Sequence, residues 1–157
     1  MIKKLCLFVC LICLLTSFTV NAQSLQRTDI DAESIQSIIL LEDGASLIIM
    51  TPEVLLSQRG IITGQKEYYY KDANGVVQWT AILTGTFTYN GSSATCTAAS
   101  CVTSVQHGNW SESYNHAYPS GGTAQADITM VRKVLFITVQ TETAHLVLSC
   151  DANGNLS

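Results

Sequence analysis

The stretch Val77-Gln78-Trp79-Thr80-Ala81-Ile82-Leu83-Thr84-Gly85-Thr86-Phe87-Thr88-Tyr89 decides the fold class. Its odd positions are apolar, with Gly85 among them. Its even positions are mostly threonine. A period of two places alternate side chains on opposite faces of a pleated strand, so one face meets a core and the other meets water. The run is long for a single strand, and Gly85 is the expected place for a bulge or bend.

The same pattern recurs downstream. Ala124, Ala126, Ile128 and Met130 alternate with Thr123, Gln125, Asp127 and Thr129. Ala144, Leu146, Leu148 and Cys150 alternate with Thr143, His145, Val147 and Ser149. Upstream, residues 37–41 and 46–50 are apolar on both faces and flank the turn pair Asp43-Gly44. Such a two-sided apolar hairpin is expected in the middle of a sheet or as a cover. Asn74-Gly75, Gly91-Ser92-Ser93 and Ser120-Gly121-Gly122 supply further turns, and residues 52–60 read as the one longer connection. The expected fold is all-β: a single antiparallel sandwich of about seven to nine strands, immunoglobulin-like, with a closed barrel as the alternative.

Residues 1–22 read as an export signal. Lys3 and Lys4 precede an apolar run to Val20, and Val20 and Ala22 hold the small-residue positions before Gln23. Residues 23–33 are polar and read as a flexible segment, which leaves residues 34–157 as the sandwich domain. Without the signal, 135 of the 157 residues remain, enough for one core. Their net charge is −6, with only six basic residues, which argues against nucleic acid as a partner. Membrane contact is expected only through the export signal. The fifteen threonines after residue 22 suit exposed pleated faces.

Cys96, Cys101 and Cys150 follow the signal, and an exported chain meets oxidising conditions. Cys96 shares a small apolar face with Ala94 and Ala98, and Cys150 continues the inward face of Leu146 and Leu148. A Cys96–Cys150 bridge would close a long loop, a constraint of about 4 kcal/mol. Cys96–Cys101 is the rival pairing. Under the first, Cys101 is the spare thiol. A Cys101–His107 nucleophile pair is disfavoured, because six residues of straight strand span ~20 Å and such a pair must touch.

No other constellation carries chemistry. His107, His116 and His145 form no metal motif, and the cysteine spacing does not match zinc sites. Neither a nucleophile elbow nor a phosphate loop occurs, so no cofactor and no metal is expected. Asp-Ala-Asn-Gly at residues 72–75 and 151–154 imitates the start of a calcium loop but misplaces the glycine, and both copies read as turns. Trp79 reads as core. Trp110, Tyr114 and Tyr118, at even spacing, form a candidate aromatic binding strip; the competing reading packs one sheet face inward.

The segment from Trp79 to Cys96, with its Thr-Gly-Thr-Phe-Thr-Tyr-Asn-Gly-Ser-Ser core, resembles part of a group of small secreted proteins of Gram-positive gut bacteria. The ending Leu148-Ser149-Cys150-Asp151-Ala152-Asn153-Gly154-Asn155-Leu156-Ser157 resembles the same group. The likeness spans roughly residues 65–157. It implies a bacterial exported protein and favours Cys96–Cys150, and Cys101 departs from the group's pattern. The group has no assigned activity, so the resemblance supplies no catalytic residue.

The function expected is therefore an exported, extracellular, non-catalytic module that binds an unknown protein or glycan. A small secreted effector or inhibitor is the second reading, and a hydrolase with unrecognised residues the third. Convergence of Cys101, His107 and Glu112 in space would favour the hydrolase.

Overall fold

A computed structural model describes residues 32–157. Residues 1–31, which hold the stretch read as an export signal and most of the polar segment that follows it, lie outside the described residues. A short 3-10 turn, Ala32–Ser34, leads into nine strands: β1 (Ile35–Leu40), β2 (Ser46–Met50), β3 (Glu53–Gln58), β4 (Ile61–Lys71), β5 (Val77–Tyr89), β6 (Ala94–Val105), β7 (Trp110–Ser120), β8 (Thr123–Val134) and β9 (Ile137–Ser149).

The strands form two open antiparallel sheets. The first has the order β1-β2-β4-β5-β6, with β3 also on β4, and the second has the order β7-β8-β9. This is the expected sandwich rather than the closed barrel. Its strand order is a meander. Among the described residues the strand exchange between sheets that marks immunoglobulin connectivity is not present, because hairpin turns join sequence neighbours almost throughout.

β5 begins and ends where the alternation does. Trp79, Ala81, Leu83 and Phe87 are fully buried, while the threonine face looks outward. From the second sheet, Ala124, Ala126, Ile128 and Met130 of β8 and Leu146 and Leu148 of β9 close over them. Gly85 pairs with Gly64 of β4, and the bulge nearby belongs to β6, where Thr97 is the extra residue between the pairs Thr86–Ala98 and Phe87–Cys96. A Cβ at Gly85 would come within 2.7 Å of the Phe87 ring and 2.8 Å of Ala124. The missing side chain makes room for Phe87 to fold back and for the second sheet to come close.

Two edges tie the sheets together. On one, Asn115 Nδ2 donates to the Cys101 carbonyl at 3.1 Å, and the Thr103 hydroxyl donates to Glu112 at 2.6 Å. On the other, the buried Tyr68 hydroxyl donates to the Val147 carbonyl at 2.8 Å and accepts from the Val147 N–H at 3.0 Å. Burial pushes the Tyr68 hydroxyl up to about 12, so it stays neutral and serves in both roles. Tyr68→Phe leaves both Val147 groups without their partner and is expected to cost about 2 kcal/mol, read as a lower urea midpoint at unchanged slope. Tyr114→Phe, at an exposed ring, is the control and should shift the midpoint little.

Two upstream expectations need correction. The apolar hairpin β1–β2 is neither central nor a cover: β1 is an edge strand, and Ile38, Ile39 and Leu40 are exposed. β4 is long enough to take β2 along Tyr68–Lys71 and β3 along Ile61–Gln65 on the same edge. Residues 52–60 are accordingly not a plain connection. Glu53–Gln58 lacks alternation but becomes strand β3 by pairing with the free half of that edge.

Both Asp-Ala-Asn-Gly segments are turns, as read. Asp72 Oδ1 accepts from the N–H groups of Asn74 and Val76, each at 3.0 Å. Asp151 Oδ1 does the same for Asn153 and Asn155, each at 2.8 Å. Each carboxylate is occupied by its own loop, which is how aspartate stabilises a turn.

Candidate binding face

The outer face of the second sheet gathers the exposed aromatic and ionisable groups. Within β7 the register slips between Glu112 and Tyr114, which leaves Ser113 as an extra residue. That bulge reverses the facing of everything after it. Trp110 therefore points into the core, buried and edge-on to Tyr70 at 5.4 Å between ring centroids. Tyr114, His116 and Tyr118 point out. The expected strip of Trp110, Tyr114 and Tyr118 is thus corrected at one member: Trp110 belongs to a Tyr70–Trp79–Trp110 core cluster, and His116 stands in the row instead.

The three outer rings form a ladder. Tyr114 and His116 have centroids 6.3 Å apart, and His116 stacks on Tyr118 at 5.1 Å with 26° between planes. Strand register then sets a grid. Tyr114 lies opposite Thr129 and then Thr143; His116 opposite Asp127 and then His145; Tyr118 opposite Gln125 and then Val147.

The middle row carries charge. His145 Nδ1 lies 2.7 Å from Asp127 Oδ1, with the two side chains 51% and 46% exposed. His145 holds the Asp127 carboxyl below the usual carboxylate range, with smaller help from the Tyr118 hydroxyl and His116. Tyr118 is pushed the other way, by desolvation first and then by Asp127. The arrangement offers apolar ring faces, a carboxylate acceptor and an imidazole whose Nε2 points away from its partner. It can stack against a flat apolar surface while hydrogen-bonding polar groups around it.

The cysteines behave differently from one another. Cys96 and Cys150 are buried and close to each other, since each strand end reaches the same β7–β8 turn: the Cys96 N–H donates to the Gly121 carbonyl at 2.7 Å, and the Cys150 N–H to the Gly122 carbonyl at 2.9 Å. All three cysteines are free thiols in the structure, so the expected Cys96–Cys150 bridge is not formed in it. Cys101 is half-buried on β6. Desolvation, then the nearby Glu112 carboxylate, push its thiol up to about 11, the wrong direction for a nucleophile. Glu112 thus approaches Cys101 but opposes its ionisation. His107 lies beyond the end of β6, its N–H on the Gln78 carbonyl, whereas Cys101 is paired with Leu83. The three do not converge.

Among the described residues, no group of three His, Cys, Asp or Glu side chains is placed to hold a metal ion. Residue types alone did not single out His116, Asp127 and His145 as a group. Counting back from the Gly121-Gly122 turn pairs His116 with Asp127, and that was the available signal. No protein-family model, no curated protein and no solved structure matches the chain.

Proposed function

We propose that the protein is an exported glycan-binding module that uses the outer face of its second sheet. The carrying observation is the outward-facing ladder of exposed Tyr114 and His116 and half-buried Tyr118, beside the Asp127–His145 pair. Sugar rings have apolar faces that stack on aromatic rings, and their hydroxyls bond well to a charged acceptor and an imidazole. A sheet face built by three paired strands holds these groups without a pocket and without ordering cost at binding. Export rests on the leader-like residues 1–22 and on the resemblance to secreted bacterial proteins. In an oxidising compartment Cys96 and Cys150 form the disulfide, and Cys101 stays a thiol.

Affinity electrophoresis in gels containing a β-glucan, a xylan, a mannan or a mucin tests the reading. At least one polymer is expected to retard the protein. Tyr118→Ala and Tyr114→Ala are expected to weaken retardation about tenfold each, the loss of about 1.4 kcal/mol of stacking. Trp110→Phe, behind the face, should leave it unchanged. No retardation in any polymer, or retardation that both tyrosine variants keep, would contradict the proposal.

A further inference from the structure

The β8–β9 hairpin turns through two residues, Leu135 and Phe136, between the paired Val134 and Ile137. Both have positive φ, 48° and 69°. A two-residue turn of this hand is ordinarily filled by Asn-Gly or Gly-Gly, because a bulky side chain strains the left-handed conformation. The other described turns place glycine or asparagine at positive φ, for example Gly44, Gly75, Asn109 and Gly121. Leu135 and Phe136 are therefore poor turn formers at a site where good ones exist. Core packing does not account for them either, since Phe136 is 99% exposed, Leu135 85% and Ile137 68%. Side chains that serve neither the turn nor the core point to a contact outside the molecule.

The residues just behind the tip indicate its kind. Arg132 and Lys133 are exposed, and neither is ion-paired among the described residues, although the chain as a whole is acidic. Gln140, the strand partner of Arg132, donates to the carboxylates of Asp43 and Glu142. From Val131 to Thr141 the hairpin carries Arg132 and Lys133 and no carboxylate, and Glu142 lies six residues from Phe136, ~20 Å along the strand. The tip is thus locally basic and apolar.

We propose that this hairpin tip docks on an anionic lipid bilayer, with Leu135, Phe136 and Ile137 entering the boundary between headgroups and acyl chains and Arg132 and Lys133 among the lipid phosphates. A convex finger with no supporting wall suits a fluid interface, which closes around any shape, better than a rigid pocket. The basic pair sits roughly 7–10 Å behind the ring, the depth difference between that boundary and the headgroups. Docking is weak and reversible, because a single apolar tip is a modest anchor. This adds a second membrane contact to the transient one of the export signal and does not depend on the glycan face.

Phe136→Trp places an indole at the tip, while Trp79 and Trp110 are buried and respond little to solvent. Mixed phosphatidylglycerol–phosphatidylcholine vesicles are expected to shift its emission to the blue and to co-sediment the protein. Binding should fall about thirtyfold in Arg132→Gln/Lys133→Gln, the loss of two basic groups near a charged surface. Leu135→Asn/Phe136→Gly suits the turn and so folds, yet should abolish binding while glycan retardation persists. Absence of both blue shift and co-sedimentation overturns the proposal. A blue shift that needs no vesicles and grows with protein concentration also overturns it, and assigns the tip to a second copy of the chain.

Discussion

Trp79→Ala is expected to lower the stability of the domain by about 4 kcal/mol, a large part of what a domain of this size has. Trp79 sits on the central strand β5, is 1% exposed and stacks on Tyr70 at 5.0 Å with 4° between planes. Truncation removes that stack and opens a cavity between sheets too tightly packed to collapse fully. Trp79→Phe should cost much less, about 1–2 kcal/mol. The reason is specific: Trp79 Nε1 is buried without a hydrogen-bond partner, so phenylalanine gives up volume but no bond. Urea unfolding followed by far-ultraviolet circular dichroism separates the two variants, and equal losses would show that the stack is not what holds this end of the core.

Cys150→Ser is expected to lower the stability of the oxidised protein by about 4 kcal/mol, the chain-entropy value for the loop from Cys96 to Cys150. Cys101→Ser should cost under about 1 kcal/mol, since Cys101 is only half-buried and takes no part in the proposed bridge. Reducing the parent protein should bring its denaturant midpoint down to that of Cys150→Ser. Equal midpoints for the two serine variants would contradict the pairing. Fast alkylation of Cys101 at neutral pH would leave the pairing intact but contradict an inert Cys101, whose thiol burial and Glu112 push up to about 11.

These two predictions mark where the sequence is transparent. Val77–Tyr89 alternates because β5 has a neighbour on each edge and a different medium on each face. Its inward residues, Trp79 included, follow from parity alone. The inward sets of β8 and β9 are legible for the same reason. The Asp-Ala-Asn-Gly turns are legible because aspartate and glycine each have one local task there.

Legibility fails where a single residue changes parity or where pairing is decided at a distance. Ser113 carries no sign of being a bulge, yet it turns Trp110 inward and leaves Tyr114 and Tyr118 outside. Even spacing therefore joined residues from opposite faces, and His116 was passed over. β1 and β3 depend on sharing one edge of β4, which their own composition does not encode. The β8–β9 turn was hidden for the opposite reason: Leu135-Phe136 continues an apolar run and contains no turn former. That mismatch between local preference and fold is what makes the tip a candidate for an outside contact.

Backbone amide shifts of the ¹⁵N-labelled protein, titrated with oligosaccharides of the polymer that retards it most, test the central claim most directly. Shifts are expected to cluster on the grid formed by Tyr114–Tyr118, Gln125–Thr129 and Thr143–Val147, with the threonine face of β5 unmoved. Shifts centred on that threonine face or on the strand edges, or none at saturating oligosaccharide, would contradict it.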